Sequence, residues 1–246
     1  MDRLLYLGMT AAKHTEMAQT ANANNLANAS TAGFRADFHA LMSQPIEGPG
    51  QATRVNAVLD AKLSDFSEGS IMSTGRSLDV AIQGEGWFVV QDAQGGEALS
   101  RRGDLHLTAD GQLINGAGQP VMGDGGPLAV PEHDSLTIGS DGTVSVVPKG
   151  LGPESSIIVD RIRLVSADPA QLRKGEDGLI RTEDGATPPA DADVRVRSGS
   201  LEGSNVNTVD AMVTMIELAR RYEMQVKVMS TANTVSETGA RLMRVE

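Results

Sequence analysis

The chain has 246 residues, 40% of them apolar and 3% aromatic, with 21 Lys and Arg against 32 Asp and Glu, a formal charge of −11. The length suits one large domain or two modest ones, and the negative balance argues against nucleic acid or an anionic membrane surface, both of which are gripped through Lys and Arg. The lack of cysteine excludes disulfides, thiolate metal sites and cysteine nucleophiles, no run approaches the 18 apolar residues of a membrane span, and seven aromatic residues are too few for a base- or sugar-stacking platform.

At the N-terminus, Arg3 and the apolar residues 4–12 loosely resemble a secretory signal. Gly8 and Thr10 dilute the run, however, and Lys13, His14 and Glu16 follow without a small-x-small cleavage site. The stretch reads instead as a helix that stays on the chain. Leu4, Leu7, Ala11, His14, Ala18 and Ala21 form a faint 3-4 stripe in which small residues would let a second helix approach closely. Residues 24–33 then end the helix, since Asn, Ser and Thr compete for backbone hydrogen bonds and Gly33 can take the positive φ of a C-terminal cap.

All ten prolines and 24 of the 27 glycines lie between residues 44 and 207, while each flank carries equal numbers of acidic and basic groups. The whole negative charge therefore belongs to the middle, which reads as β-structure and loops between two helical ends. Residues 44–76 show no consistent period and read as an extended connector with short β segments. Beyond them, apolar runs at 78–82, 87–90, 105–108, 112–114, 136–138, 144–147, 157–165 and 194–197 alternate with turn dipeptides. The turns include Gly95-Gly96, Asp110-Gly111, Asn115-Gly116, Asp141-Gly142, Asp177-Gly178 and Asp184-Gly185. In the long run, Arg161 and Arg163 alternate with Ile162 and Leu164, as on a strand with one wet and one buried face.

The C-terminal flank has the clearest period. Met212, Met215, Ala219, Tyr222, Val226, Met229, Asn233, Ser236, Ala240 and Met243 keep a strict 3-4 spacing, the mark of a heptad seam. Val209, Val213 and Ile216 add a second apolar stripe, widening the face that seeks cover. The predicted fold is α+β: paired, coiled-coil-like N- and C-terminal helices attached to a Gly-rich, mostly antiparallel β domain. The expected divisions are 1–36 (N-terminal helix), 37–76 (connector), 77–198 (outer β domain), and 199–246 (connector and long C-terminal helix).

Catalytic patterns are missing. His14, His39, His106 and His133 are scattered, and none has the i, i+4 spacing of a helical zinc site. Glu132-His133-Asp134 reads as a solvated turn after Pro131. Gly84-x-Gly86 lacks the third glycine of a dinucleotide fingerprint, and the Asp-Gly pairs lack the spacing of calcium loops. The expectation is no catalytic residue, no metal, no cofactor and no small-molecule substrate.

Several strings do carry information. They are residues 24–35 (NNLANASTAGFR), 69–82 (GSIMSTGRSLDVAI) leading into 83–88 (QGEGWF), 100–103 (SRRG), 110–113 (DGQL), 199–207 (GSLEGSNVN) and 219–223 (ARRYE). Together and in this order they resemble the axial proteins of the bacterial flagellum, the rod and hook family. Two positions depart from the family pattern: Trp87 stands where Phe is usual and Arg35 where Lys is usual.

The resemblance implies a structural, non-enzymatic subunit of the basal-body rod. Such a chain is exported without a cleaved signal peptide through the flagellar export apparatus and polymerises into a periplasm-spanning drive shaft. Length and the opening residues 1–6 favour a proximal-rod member, with a distal-rod or another hook and rod protein as the alternative. Implied partners are copies of itself and other flagellar rod proteins, with no nucleic acid and no membrane insertion. Expected subunit-contact residues are Leu4, Leu7, Ala11, Ala18, Ala21, Asn24, Asn25, Asn28, Thr31, Gly33, Phe34, Asn205, Met212, Met215, Ala219, Tyr222, Val226, Met229 and Met243. Two competing readings remain at this point. In one, both helices simply pack on the chain's own β domain. In the other, the chain is a soluble β-rich binding module with helical dimerisation ends.

Overall fold

The computed structural model describes residues 2–45 and 55–243, without the side chains of 2–4, 40–45, 55–62, 153 and 242–243. The elements run α1 (Asp2–Ala27), β1 (Asp37–Pro45), β2 (Val55–Ser64), β3 (Ile71–Ser73), β4 (Val80–Gln83), β5 (Trp87–Gln91), β6 (Glu97–Ser100), β7 (His106–Leu107), β8 (Leu113–Ile114), β9 (Met122–Gly123) and β10 (Gly126–Pro127). They continue with β11 (His133–Ile138), β12 (Thr143–Pro148), β13 (Ile157–Arg161), β14 (Leu164–Val165), β15 (Leu172–Lys174), β16 (Ile180–Thr182), β17 (Arg195–Ser198), β18 (Ser200–Glu202) and α2 (Thr208–Met243). The class is α+β with antiparallel strand pairing. Two compact units result: the first comprises 1–27, 37–65 and 206–246, the second 28–36 and 66–205.

In the first unit α1 and α2 pack antiparallel. Asn22 donates to the Ala211 carbonyl (2.7 Å), Gln225 donates to Thr15 Oγ1 (2.9 Å), and a Cβ on Gly8 would lie 2.8 Å from Met229 Cγ. The 36-residue α2 begins on Asn207, whose side-chain oxygen accepts from the N–H groups of Val209 and Asp210, as an N-cap does. Threonines within it do not break the helix, because Thr231, Thr234 and Thr238 donate back to the carbonyls four residues earlier. Where the sequence suggests a connector with short β segments, β1 and β2 form a hairpin of nine and ten residues. A register shift between Ala40 and Leu41 breaks its alternation, which is why no period is visible there.

The second unit is built around β5. This strand lies inside the five-stranded sheet β14-β5-β6-β16-β15, and its residues Trp87 to Val90 are all buried. Phe88 and Val90 point into a core with Ile82, Leu105, Leu113 and Val121, while Trp87 and Val89 point into a second core with Leu99, Leu172 and Ile180. A continuous apolar run with both faces covered is the mark of a central strand. The run 157–165 is divided where its partners change. β13 pairs with β12, Arg163 N–H donates to the Met122 carbonyl, and β14 pairs with β5. Ile162 and Leu164 remain buried as the alternation requires.

Three of the Asp-Gly turns share one device. Asp141, Asp177 and Asp184 each accept the N–H two residues ahead, leaving the intervening glycine to take positive φ, as Gly178 does at 77°. The sequence around Glu132 differs from its reading as a turn, because His133 opens β11 and Asp134 accepts from Gly150 N–H. Phe88 is fully buried between the sheets, so Phe88→Ala is expected to lower unfolding stability by about 3–5 kcal/mol. Urea denaturation of the purified chain measures this directly.

Candidate assembly surface and buried motif cluster

Two features of the molecule attract attention, one in each unit. The first is the surface of the helix pair. Along α2 the side facing α1 carries Ala211, Met215, Leu218, Gln225, Met229 and Ala232, all buried or half-buried. The facing side of α1 carries Gly8, Ala12, Thr15 and Asn22. The contact therefore mixes small and polar side chains with three larger apolar ones, Met215, Leu218 and Met229. Val209, Met212, Val213 and Ile216 occupy i, i+3, i+4 and i+7 on the other side of α2 and are exposed, Ile216 by 56%. Tyr6 and Met9 of α1 are exposed as well.

The residues expected at subunit contacts fall into distinct groups on these helices. Leu7, Ala11, Ala18 and Ala21 are half-buried, one residue out of phase with the α1 positions that meet α2. Met215, Ala219 and Met229 are half-buried, whereas Met212, Tyr222 and Val226 are exposed, Val226 by 43%. Leu4 and Met243 lie in α1 and α2 with side chains outside the described set. Asn24 is exposed. Asn25 is engaged within the chain: it donates to the Asp37 carbonyl (2.7 Å) and accepts from Asp37 N–H (2.8 Å). That clasp ties α1 to β1, and the buried Asp37 carboxylate accepts from Ser64 Oγ (2.7 Å).

The second feature is a buried ionic cluster in which the recognisable strings converge. Glu202 is 2% exposed, Arg35 1% and Arg101 4%. Arg35 Nη2 lies 2.6 Å from Glu202 Oε1, and Arg101 Nη1 lies 3.0 Å from Oε2. The same Oε1 accepts from Gly69 N–H at 2.9 Å, and Gly33 N–H donates to the Glu202 main-chain carbonyl at 2.8 Å. Arg101 also donates to the Gly84 carbonyl (2.8 Å).

Both guanidinium groups stand over the Trp87 ring, at 5.8 Å (Arg35) and 5.1 Å (Arg101) from its centroid, and Phe66 meets that ring edge-on. Burial pushes the Arg101 guanidinium down from its ordinary value; Glu202 opposes this and Arg35 adds to it. Glu68 adds a further favourable charge to Arg101, and the indole face supplies compensation to both cations by cation–π attraction.

Neighbouring residues close the cluster. Gly33 has φ +65°, and a Cβ there would run into the Arg101 main chain. Lys174 donates to the Arg35 carbonyl (2.7 Å) and stands 4.0 Å from the Phe34 ring centroid. Asn205 accepts from Ala36 N–H, and Asn28 forms a local turn with Thr31. Of the contact residues expected from sequence, Asn28, Thr31, Gly33, Phe34 and Asn205 thus have intrachain partners. The ion pairs themselves have no precursor in the sequence reading. Among the described residues no group of three or more His, Asp or Glu is placed to hold a metal ion, and no helix is long and apolar enough to cross a membrane.

Residues 197–242, which hold Glu202, Asn205 and nearly all of α2, match the family described as flagellar basal body rod FlgEFG protein C-terminal, and residues 81–146 match the flagellar hook protein FlgE/F/G D1 domain. Across 239 residues, 95% of each chain, the sequence is 43% identical to the flagellar basal-body rod protein FlgF of Salmonella typhimurium and equally to that of Escherichia coli. The chain belongs to the flagellar basal-body rod protein family. It is FlgF-like: it is 33% identical to the Caulobacter vibrioides FlgF over 97% of this chain and 96% of that one. The Bacillus subtilis flagellar basal-body rod protein FlgG is 31% identical over 99% of this chain and all of its own length.

In this rod-family chain Arg35 and Trp87, from two of the strings that carry the resemblance, meet in space. A double-mutant cycle with Arg35→Lys and Trp87→Phe is therefore expected to show favourable coupling of about 1–2 kcal/mol, the range of a desolvated cation–π contact. Additive losses in denaturant unfolding would remove the pairing. At Gly33, substitution by alanine meets both a positive φ and the Arg101 backbone. Gly33→Ala is expected to destabilise the folded chain by more than about 1 kcal/mol, and Ala32→Gly by less, as compared by thermal unfolding of the two variants.

Proposed function

We propose that this chain is a structural subunit of the bacterial flagellar basal-body rod, in its proximal part, and that it polymerises through its terminal helices into a torque-transmitting shaft. The reading is carried by 43% identity across 95% of the chain to proteins named flagellar basal-body rod protein FlgF. The physical support is the exposed stripe of Val209, Met212, Val213 and Ile216 on the side of α2 away from its contact with α1. Burying such a stripe against other subunits is worth roughly 25 cal/mol per Å² of apolar area. Contacts between unlike patches that do not close on themselves build a helical filament.

In this reading the terminal helices of successive copies form a coiled-coil-like inner layer. The acidic β body of 77–198 lies outside it, joined through 37–76 and the connector at the start of 199–246. Leu4, Leu7, Ala11, Ala18 and Ala21 of the N-terminal helix, with Met212, Met215, Ala219, Tyr222, Val226, Met229 and Met243 of the C-terminal one, contact neighbouring subunits. Partners are further copies and other rod proteins, reached after export through the flagellar apparatus without loss of an N-terminal signal.

Complementation of a strain lacking this chain tests the proposal. The wild-type chain restores rod, hook and filament, and restoration failing would overturn it. Val226 and Lys227 are both exposed on α2, so neither Val226→Asp nor Lys227→Asp is expected to shift the stability of the isolated chain by more than about 0.5 kcal/mol. An unpaired carboxylate buried at a subunit seam costs several kcal/mol. Val226→Asp is therefore expected to abolish basal-body yield at matched secretion while Lys227→Asp preserves it. Equal yields would place the subunit seam elsewhere on the helix.

A further inference from the structure

The chain passes between its two units four times, at 27/28, 36/37, 65/66 and 205/206. Three of those passages end in the second unit at one hydrogen-bonded knot. Asn205 Oδ1 accepts from Ala36 N–H at 2.8 Å, and Asn205 N–H donates to the Phe34 carbonyl at 3.3 Å. Its Nδ2 donates to the carbonyl and hydroxyl of Ser67, both at 3.3 Å. Asn205, itself the residue before the fourth passage, thus joins the residue before the second passage and the second residue after the third.

Three residues earlier, Glu202 repeats the arrangement with charge, holding Arg35 of the first segment and Gly69 N–H of the next, and its main-chain carbonyl holds Gly33 N–H. Phe66, at the third passage, packs on the Trp87 ring over which Arg35 and Arg101 stand. These are two sets of ties, one neutral and half-buried, one ionic and buried.

We infer that Asn205 and Glu202 form a lock within the second unit that ties together the ends of three of the four passages, so that torque entering the unit along any one of them is shared among all three. The mechanical part rests on the rod reading proposed above; the lock itself does not. Separate strands would each be pulled singly and would fail one after another. Tied strands share the load, and a shear that moves one must break bonds in all of them together.

The lock can be tested apart from the rod by amide hydrogen exchange on the purified full chain. Asn205→Ala removes the side-chain bonds of the neutral set and leaves its main-chain bond to Phe34 and the buried charges in place. Exchange at Ala36 and in the 66–69 segment is expected to rise at least tenfold while the amides of β5 stay at wild-type rates. Asn205→Asp, which keeps the acceptor for Ala36 N–H and loses the donor to Ser67, is expected to loosen 66–69 alone. Unchanged exchange at Ala36 and 66–69, or an equal rise throughout the β body, would overturn the lock.

Its use in torque is tested in flagellated cells carrying Asn205→Ala. Basal-body yield and swimming in plain medium are expected within twofold of wild type, with shedding of hooks and filaments rising several-fold in viscous medium. Wild-type shedding under load, or a variant absent from basal bodies despite locally confined exchange, would overturn the torque role. If even the wild-type chain is absent from basal bodies, the rod reading fails while the exchange result stands on its own.

Discussion

The second unit depends on one carboxylate. Glu202 lies among groups that are up to 169 residues from it in sequence: Gly33 and Arg35 on one side, Gly69 on another, Arg101 on a third. Removing three charges from water is costly, and a buried pair broken by loss of one partner costs about 3–5 kcal/mol because the remaining charge is stranded. Here the loss of Glu202 would strand two guanidinium groups. The two cations gain further compensation from the Glu68 charge near Arg101 and from the ring face that Trp87 offers to both, and arginine, weakly hydrated and planar, suits an aromatic neighbour better than lysine would. The position of Gly33 follows from the same cluster, since its positive φ and bare Cα let the chain run against the Arg101 backbone.

The helix pair obeys a different constraint. Its inner contact uses Gly8, Ala12, Thr15, Asn22, Ala211 and Gln225, side chains that allow close approach and bond across the seam, beside the apolar Met215, Leu218 and Met229. The large apolar residues at the start of α2 point away from α1. A helix with apolar residues on two sides is one that has two sets of neighbours, and an exposed stripe of this kind marks an interaction surface. The arrangement suits a protein whose folded state is completed by assembly, and it separates two requirements. The intrachain seam sets the antiparallel alignment of α1 and α2, and the outer stripe is left free to gain most from burial.

How much of this was legible in the residues depends on the range of the interaction. Turns were readable because Asp-Gly pairs act locally, the carboxylates of Asp141, Asp177 and Asp184 reaching an amide two residues ahead. The central strand was readable as an unbroken apolar run at 87–90, and the outward stripe at Val209, Val213 and Ile216 as a second helical period. The phase of the α1 contact was less so: the 3-4 repeat at Leu7, Ala11, Ala18 and Ala21 has a neighbour one residue away at Gly8, Ala12, Thr15 and Asn22. Hydrophobicity cannot choose between them when the contact is made by glycine, threonine and asparagine. The β1–β2 hairpin escaped because its register shift at Ala40 spoils the alternation. The Arg35–Glu202–Arg101 cluster left no trace at all, since ion pairs between remote segments have no period.

The use of charge at this place has a physical logic that apolar packing could not supply. Hydrophobic contact is non-directional, and cores tolerate repacking when volume and pattern are kept. An apolar plug at the same site would hold segments 33–36, 66–69 and 200–205 together without fixing how each is aligned along the others. A guanidinium on a carboxylate and an amide on an asparagine oxygen bond in set directions, so each segment is held at one alignment. That matters more in a repeating structure than in a monomer. In a helical assembly built from heterologous contacts, the same misalignment recurs in every copy and adds up along the filament. A net stability near zero for the buried ions is then an acceptable outcome, because what the cluster contributes is a single geometry for the segments through which the chain passes to its terminal helices.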